Sequence, residues 1–114
     1  MARGDVLLVE LPATGDRAQS GRRPAIAIQT DMLGDPMLIV APVTSNLSAS
    51  RFPFTVEVEP SVENGLSRTS IIMVFQLRAI DKRRIINTIG RLSSHDLALV
   101  DAEILRIFDR IDDQ

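Results

Sequence analysis

The 114-residue chain has no cysteine, no tryptophan and no tyrosine, and it carries a single histidine and a single lysine. Each gap closes off some chemistry. Without cysteine there is no disulfide, no thiolate metal site and no Cys nucleophile. With His95 as the sole imidazole, a histidine-rich metal site and a two-histidine acid–base pair are excluded too. Four phenylalanines are the whole aromatic complement, so the core has to be aliphatic. No apolar run approaches membrane-spanning length, and Met1-Ala2-Arg3-Gly4-Asp5 leads straight into an apolar alternation rather than a basic, then apolar, leader. A cytoplasmic protein with no membrane partner is expected. The length predicts one domain spanning 1–114.

The charges nearly balance but are unevenly placed. The net charge is −2. Residues 1–91 hold 11 basic against 9 acidic side chains, and residues 92–114 hold 2 against 6. Twelve of the thirteen basic residues are arginine, the exception being Lys82. Arginine suits bidentate phosphate contacts better than lysine does, although an arginine bias also follows from genome composition.

What is present reads as short strands punctuated by turns. Asp5–Leu11 is β-branched and apolar and stops at Pro12. Pro12–Arg22 is polar and long enough to be a functional loop. Pro24–Gln29 is a second strand. A break at 30–36 follows, with one helical turn expected at Asp31-Met32-Leu33. Met37–Thr44 is nearly all apolar, as a buried strand would be, and Pro42 predicts a bulge or an edge near its end. Ser45–Ser50 reads as a loop. Phe54, Val56 and Val58 alternate with Thr55, Glu57 and Glu59 in a half-exposed strand. Asn64-Gly65 signals a turn. Ser70–Leu77 is the next strand, running into Arg78-Ala79-Ile80-Asp81. A basic loop, Lys82-Arg83-Arg84, precedes Ile85–Ile89 and a break at Gly90. From Ser94 to about Ile111 the period becomes helical, with Leu97, Val100, Ile104, Ile107, Phe108 and Ile111 on one stripe. Ser93 or Ser94 caps this helix and Asp96 suits its first turn. The pattern predicts a mainly β (α+β) fold, a small, strongly bent antiparallel sheet or half-barrel with a C-terminal helix on it.

The most informative stretch is Gly21-Arg22-Arg23-Pro24-Ala25-Ile26. Pro24 fixes its own φ and pushes Arg23 toward extended geometry. The Arg23 guanidinium should leave the chain where a polar loop becomes a strand, a sound place to hold a phosphate. Three further groups also lie where a strand meets a loop: Thr44-Ser45; Gln76 and Arg78 with Asp81; and Lys82-Arg83-Arg84. No metal cluster, Ser-His-Asp arrangement or phosphate-cradling glycine loop is present. Arginines with a hydroxyl can bind a phosphodiester and stabilise extra charge on it. With RNA the nucleophile is the substrate's own 2′-OH. Arginine titrates far above neutral pH and is on paper a poor proton carrier. Plainer readings stand beside these. Arg22 and Arg23 can be solvated surface, Thr44-Ser45 a capped strand end, and Arg78 with Asp81 a structural ion pair. His95 fits a surface position at the helix start, and the helix stripe fits core or dimer packing.

Taken together, Arg-Gly-Asp-Val at 3–6, Gly-Arg-Arg-Pro-Ala at 21–25, Ala-Pro-Val-Thr-Ser at 41–45, Asn-Gly-Leu at 64–66, Gln-Leu-Arg-Ala-Ile-Asp-Lys at 76–82 and Gly-Arg-Leu-Ser at 90–93 resemble the MazF/PemK (Kid) family of toxin endoribonucleases. The resemblance runs from about Arg3 to the end of the helix. It implies an SH3-like barrel, shared with CcdB toxins. It also implies a homodimer with no cofactor and no metal, which cuts single-stranded RNA to a 2′,3′-cyclic phosphate and a 5′-hydroxyl. A MazE/PemI-like antitoxin is the implied protein partner. Matched residue by residue, Arg23 and Thr44 take the catalytic places. Gln76 and Arg78 fall on RNA-lining positions, with Asp81 and Lys82 in the same segment. Arg22 and Ser45 flank the catalytic pair. Arg17 and Gln19 lie on the loop that in relatives gates RNA and antitoxin. One departure is Phe75, where relatives usually carry Asp or Glu. The loop also lacks an aromatic residue for base stacking, leaving Arg17, Arg22 or Phe52 for that work. Two alternatives remain, a CcdB-like gyrase inhibitor acting through the terminal helix and a family member that binds RNA or antitoxin without cutting.

Overall fold

The computed structural model describes residues 2–13, 20–30 and 35–109. Among these lie seven strands and one α-helix: β1 (Asp5–Leu11), β2 (Gly21–Ala27), β3 (Met37–Thr44), β4 (Thr55–Val58), β5 (Ser70–Met73), β6 (Arg78–Asp81), β7 (Ile85–Arg91) and α1 (Ser94–Phe108). Every pairing is antiparallel, in the order β4-β5-β3-β2-β1-β7, with β6 also on β3.

Both faces of the central strands are buried, which explains their nearly continuous apolar sequence. On β1, Leu7, Val9 and Leu11 face one core with Ala25, Ala27, Leu38, Val40 and Ile80. Val6 faces a second core with Ile26, Ala41, Val43, Ile72 and Val100. The sheet bends around the first core, and α1 covers the second through Leu97, Ile104 and Ile107. Strands β6 and β7 are the edges of the bent part, and a 3-10 turn at Lys82–Arg84 joins them. No β6–β7 pairing is seen among the described residues, so the barrel that the sequence implied is an open one.

Several boundaries differ from the sequence expectation. The second strand begins at Gly21, not Pro24, because Gly21, Arg22 and Arg23 pair with Leu11, Glu10 and Val9. The apolar run after Ser70 is not one strand. It splits into β5, a 3-10 turn at Val74–Gln76, and β6. The split arises because β5 pairs with Val43 and Thr44 of β3, whereas β6 pairs with Met37–Val40. Pro42, lacking an N–H, sits at this change of partner, where a ladder donor is least needed. Ser45–Ser50 holds a 3-10 turn, Leu47–Arg51. Phe54 does not share the alternation of β4, since its φ of 61° turns the chain before Thr55. The expected turn at 31–33 lies outside the described residues.

The helix begins as expected, with Ser93 Oγ accepting from the Asp96 N–H at 3.1 Å. Arg3 holds it to the strand side through a bidentate pair with Asp101, at 2.6 and 2.9 Å to Oδ1. The stripe ends early. Phe108 is 74% exposed and outside the core, while Ile111 falls beyond the described residues.

Gly90 is not a break. Strand β7 runs through it because the 63–66 turn crosses it in backbone contact. A Cβ on Gly90 would stand 2.3 Å from Asn64 C, and one on Gly65 would stand 2.0 Å from Ile89 O. Gly65 also has a φ of +71°. Gly65→Ala is therefore expected to lose about 3 kcal/mol or more, from backbone overlap plus left-handed strain. Gly90→Ala, with overlap alone, should lose about 2 kcal/mol. Thermal melts should show Gly65→Ala as the larger loss, about 10 °C or more.

Candidate active site

Arg23 and Thr44 come together because two strands part. The register Ala25↔Pro42 joins β2 to β3. Continued by two residues, it would set Arg23 opposite Thr44. The ladder ends at Ala25↔Pro42, however, so β3 parts from β2 here, while its other edge pairs Val43 and Thr44 with Ile72 and Ile71 of β5. A cavity of about 570 Å³ opens in the fork. Arg22, Arg23 and Pro24 line it from β2, Thr44, Ser45 and Asn46 from the end of β3, and Gly65–Arg68 and Ser70 from the segment that crosses β7.

The lining is cationic and hydroxylic. Among the described residues around the cavity, Arg22, Arg23 and Arg68 carry charge and none is acidic. Arg23 is half-buried and its Nε donates to Ser20 O at 3.0 Å, which fixes the guanidinium at its base. Desolvation lowers its pKa from the ordinary arginine value. Thr44 Oγ1 accepts from the Asn46 N–H at 3.1 Å. The local capping expected of a strand end is real, and it also orients the hydroxyl so that its own proton can be donated. Arg22 is exposed, with Nε 3.7 Å from Glu10 Oε1.

The other candidate residues spread around this fork. Gln76 shares a neighbouring cavity of about 350 Å³ with Thr44 and Asn46. Arg78 and Lys82 are half-buried on β6 and the turn after it. Asp81 lines a third cavity with Glu10, Arg22, Arg83 and Arg84. Asp81 pairs with Arg83. Asp81 Oδ2 lies 2.9 Å from Arg83 Nη2, and Oδ1 accepts the Arg83 N–H at 2.8 Å. The reason is local, because Asp81 caps the 3-10 turn that contains Arg83. Arg17 and Gln19 lie outside the described residues. His95 is exposed near the start of α1, away from all three cavities.

Sequence reasoning missed Arg68 and Asn46. Arg68 lies 24 positions beyond Thr44 in the chain, and the only nearby signal was the Asn64-Gly65 turn. That turn is built around Asn64, which is only 4% exposed. Its Oδ1 accepts from Ser61 N and Leu66 N at 3.0 and 2.9 Å, and its Nδ2 donates to Glu59 O at 2.9 Å.

With this geometry in view, residues 2–108 match the family described as PemK-like, MazF-like toxin of type II toxin-antitoxin system. The chain belongs to this family. It is 35% identical over 107 residues to Endoribonuclease EndoA of Bacillus subtilis, covering 92% of this chain and 90% of that one. In fold it is similar to a crystal structure of MazF from Deinococcus radiodurans, with a TM-score of 0.80, 21% identity and coverage of 96% of this chain and 97% of that one. A MazE-MazF crystal structure from the same organism gives a TM-score of 0.72 at 22% identity, covering 96% and 95%. No helix among the described residues is long and apolar enough to cross a membrane.

The Arg83 side-chain hydrogen bond holds the Asp81 carboxyl below its ordinary value. A carboxylate with a depressed folded-state pKa adds stability above its unfolded pKa and loses it as pH falls through the folded value. Asp81→Ala should therefore melt lower than wild type at pH 7, and the two melting temperatures should converge as pH drops below the ordinary carboxylate range of about 3.9.

Proposed function

We propose that the chain is a toxin endoribonuclease that cuts single-stranded RNA in the fork between β2 and β3. Its family is one of type II toxin-antitoxin toxins, and the relative EndoA is named an endoribonuclease. The observation that carries the reading is the placing of Arg23, Arg68 and the oriented Thr44 hydroxyl around one cavity whose described lining includes no carboxylate. An acidic lining would repel a phosphodiester, whereas this one attracts it.

The chemistry follows from these groups. RNA supplies the nucleophile, its 2′-OH, which attacks the adjacent phosphorus. The P–O5′ bond breaks, the 2′-OH proton is lost and the departing 5′-oxygen gains one, giving a 2′,3′-cyclic phosphate and a 5′-hydroxyl. The phosphorus passes through a state with an extra negative charge on its oxygens. Arg23 and Arg68 oppose that charge, and Thr44 donates a hydrogen bond to a phosphate oxygen. Arg23 also takes part in proton transfer, and its lowered pKa is a shift in the direction that this role needs. Arg22 and Ser45 bind the flanking backbone, Gln76 and Arg78 the neighbouring nucleotide, and Asp81 and Lys82 frame the far end of the path. Arg17 and Gln19, which lie outside the described residues, are read as further substrate-binding residues. A step through a metal or cofactor is not needed for this balance.

An antitoxin tail would cover the same cationic fork, a reading supported by the MazE-MazF assembly of the Deinococcus radiodurans neighbour. We further read the protein as a single cytoplasmic domain acting as a homodimer. The terminal-helix route to gyrase has no matching observation.

Arg23→Ala and Thr44→Ala should each lower cleavage of a long RNA by about 100-fold or more, the loss typical of a removed transition-state donor. Thr44→Ser, which keeps the hydroxyl, should retain most activity. Cleavage should persist in EDTA and leave cyclic-phosphate ends. Uncut RNA with wild-type protein, or full cleavage by both alanine variants, would overturn the assignment. Separately, Arg68→Ala should weaken binding of a non-cleavable RNA and reduce the slope of log K against log salt by about 0.7, the share of one phosphate contact on a single strand.

A further inference from the structure

The cavity next to the fork has a different character. Phe52, Phe75 and Met73 supply its apolar wall, with Asn46 and Gln76 at the polar side. The two rings lie 5.3 Å apart between centroids and are tilted by 39°. The Arg51 guanidinium sits 4.5 Å from the Phe52 ring centroid. Phe52 is 39% exposed, so part of its surface is open to a ligand. At about 350 Å³ the space falls at the small end of the ~300–1,000 Å³ range of ligand sites.

From this we infer that the Phe52–Phe75 cavity is a nucleobase subsite, taking the base of a nucleotide next to the scissile phosphate. The inference rests on the endoribonuclease reading and adds where the strand runs. Three observations favour a base over an apolar protein side chain. The cavity adjoins the phosphate site, since Thr44 and Asn46 line both. Its wall joins aromatic rings to a guanidinium plane, the two surfaces on which unpaired bases stack. Its polar side offers directional donors. Asn46 Oδ1 accepts from Ser48 N and Ser48 Oγ at 3.1 and 2.8 Å, so Asn46 presents its Nδ2 donors to a ligand. A base edge carries acceptors to meet them, whereas an apolar side chain would bury them unpaired.

This assignment gives Phe75 a role of its own. Its ring backs Phe52 and packs on Ala49, Ile71 and Met73. Where an acidic side chain would place charge beside the strand, this chain has a stacking wall.

The test uses short RNAs cut by the wild-type protein, with the cut site mapped. They are remade with a 2′-O-methyl at the cleaved ribose and one abasic residue at each position in turn. One abasic position beside the scissile phosphate should raise the wild-type Kd by about tenfold, within the range of a single base–aromatic contact. In Phe52→Leu, which keeps apolar bulk and should stay folded, that one penalty should vanish while those at other positions remain. Phe52→Trp should restore it. An unchanged penalty in Phe52→Leu would overturn the subsite. So would a variant with normal RNA binding that has lost affinity for an antitoxin-tail peptide, since the cavity would then hold a protein side chain. Failure of the wild type to cut any RNA is a separate result and would overturn the parent reading along with this one.

Discussion

The site depends on a backbone crossing. The 63–66 turn lies directly on β7, with Arg91 N donating to Glu63 O at 2.8 Å. Two glycines permit that approach, since a Cβ at Gly65 or Gly90 would overlap the facing main chain. Asn64 then fixes the turn from within, by its three side-chain hydrogen bonds to the main chain. The consequence reaches beyond the turn. The chain leaving this crossing is Leu66-Ser67-Arg68, which forms the side of the cavity across from Arg23 and Thr44. If the turn lifted away from β7, the fork would remain, but one of its three arginines would be gone from it.

Strand β3 provides the second constraint. It pairs with β2 along Val40–Pro42, with β6 along Met37–Val40 and with β5 at Val43 and Thr44. β6 and β5 share one edge of β3 in succession, and β2 lies along the other. The ladder to β2 stops at Pro42, and the cavity of the proposed site opens beyond it. Paired strands therefore fix the Arg23 and Thr44 sides of the opening, and the turn over β7 supplies another. Thr44 is the last residue of a paired strand and Arg23 the third of another, so both side chains start from fixed backbone. This meets the need of a phosphate site for donors held in place before the substrate arrives.

Local signals carried much of this in the sequence. The first strand, the helix start with its Ser93 cap and the Asn64-Gly65 turn all rest on short-range chemistry, and each lies where its residues indicated, whereas the junction read at Arg23-Pro24 lies earlier, at Gly21. Non-local pairing was not legible. Ile71 to Phe75 reads as one apolar strand because nothing in it marks the change of partner, which is imposed by β3 more than 25 residues earlier in the chain. Gly90 reads as a break because a glycine needed for close approach looks the same as one that ends a strand. Arg68 was invisible for the same reason, since its place in the site is set by the crossing and not by its neighbours in sequence. Phe108 fits the helical stripe by spacing but is exposed, outside the core that Leu97, Ile104 and Ile107 cover.

The charge pattern now has a physical reading. A net charge of −2 argues against a nucleic-acid partner if charge is averaged over the chain. The fork avoids that average. Its three arginines stand on β2 and the crossing segment, while Asp96, Asp101 and Glu103 lie on α1, across the second core. Solvent-exposed charges further apart than the ~8 Å Debye length of physiological salt are largely screened from one another. Arginine suits this arrangement better than lysine would. A guanidinium can fix one donor, as Arg23 does on Ser20 O, and still carry others, which a single ammonium at the end of a flexible stem does less well. The lone lysine, Lys82, stands at the turn between β6 and β7 and not in the fork. The sign of the whole molecule therefore decides little about its partner, and the local geometry of the guanidinium groups decides much more.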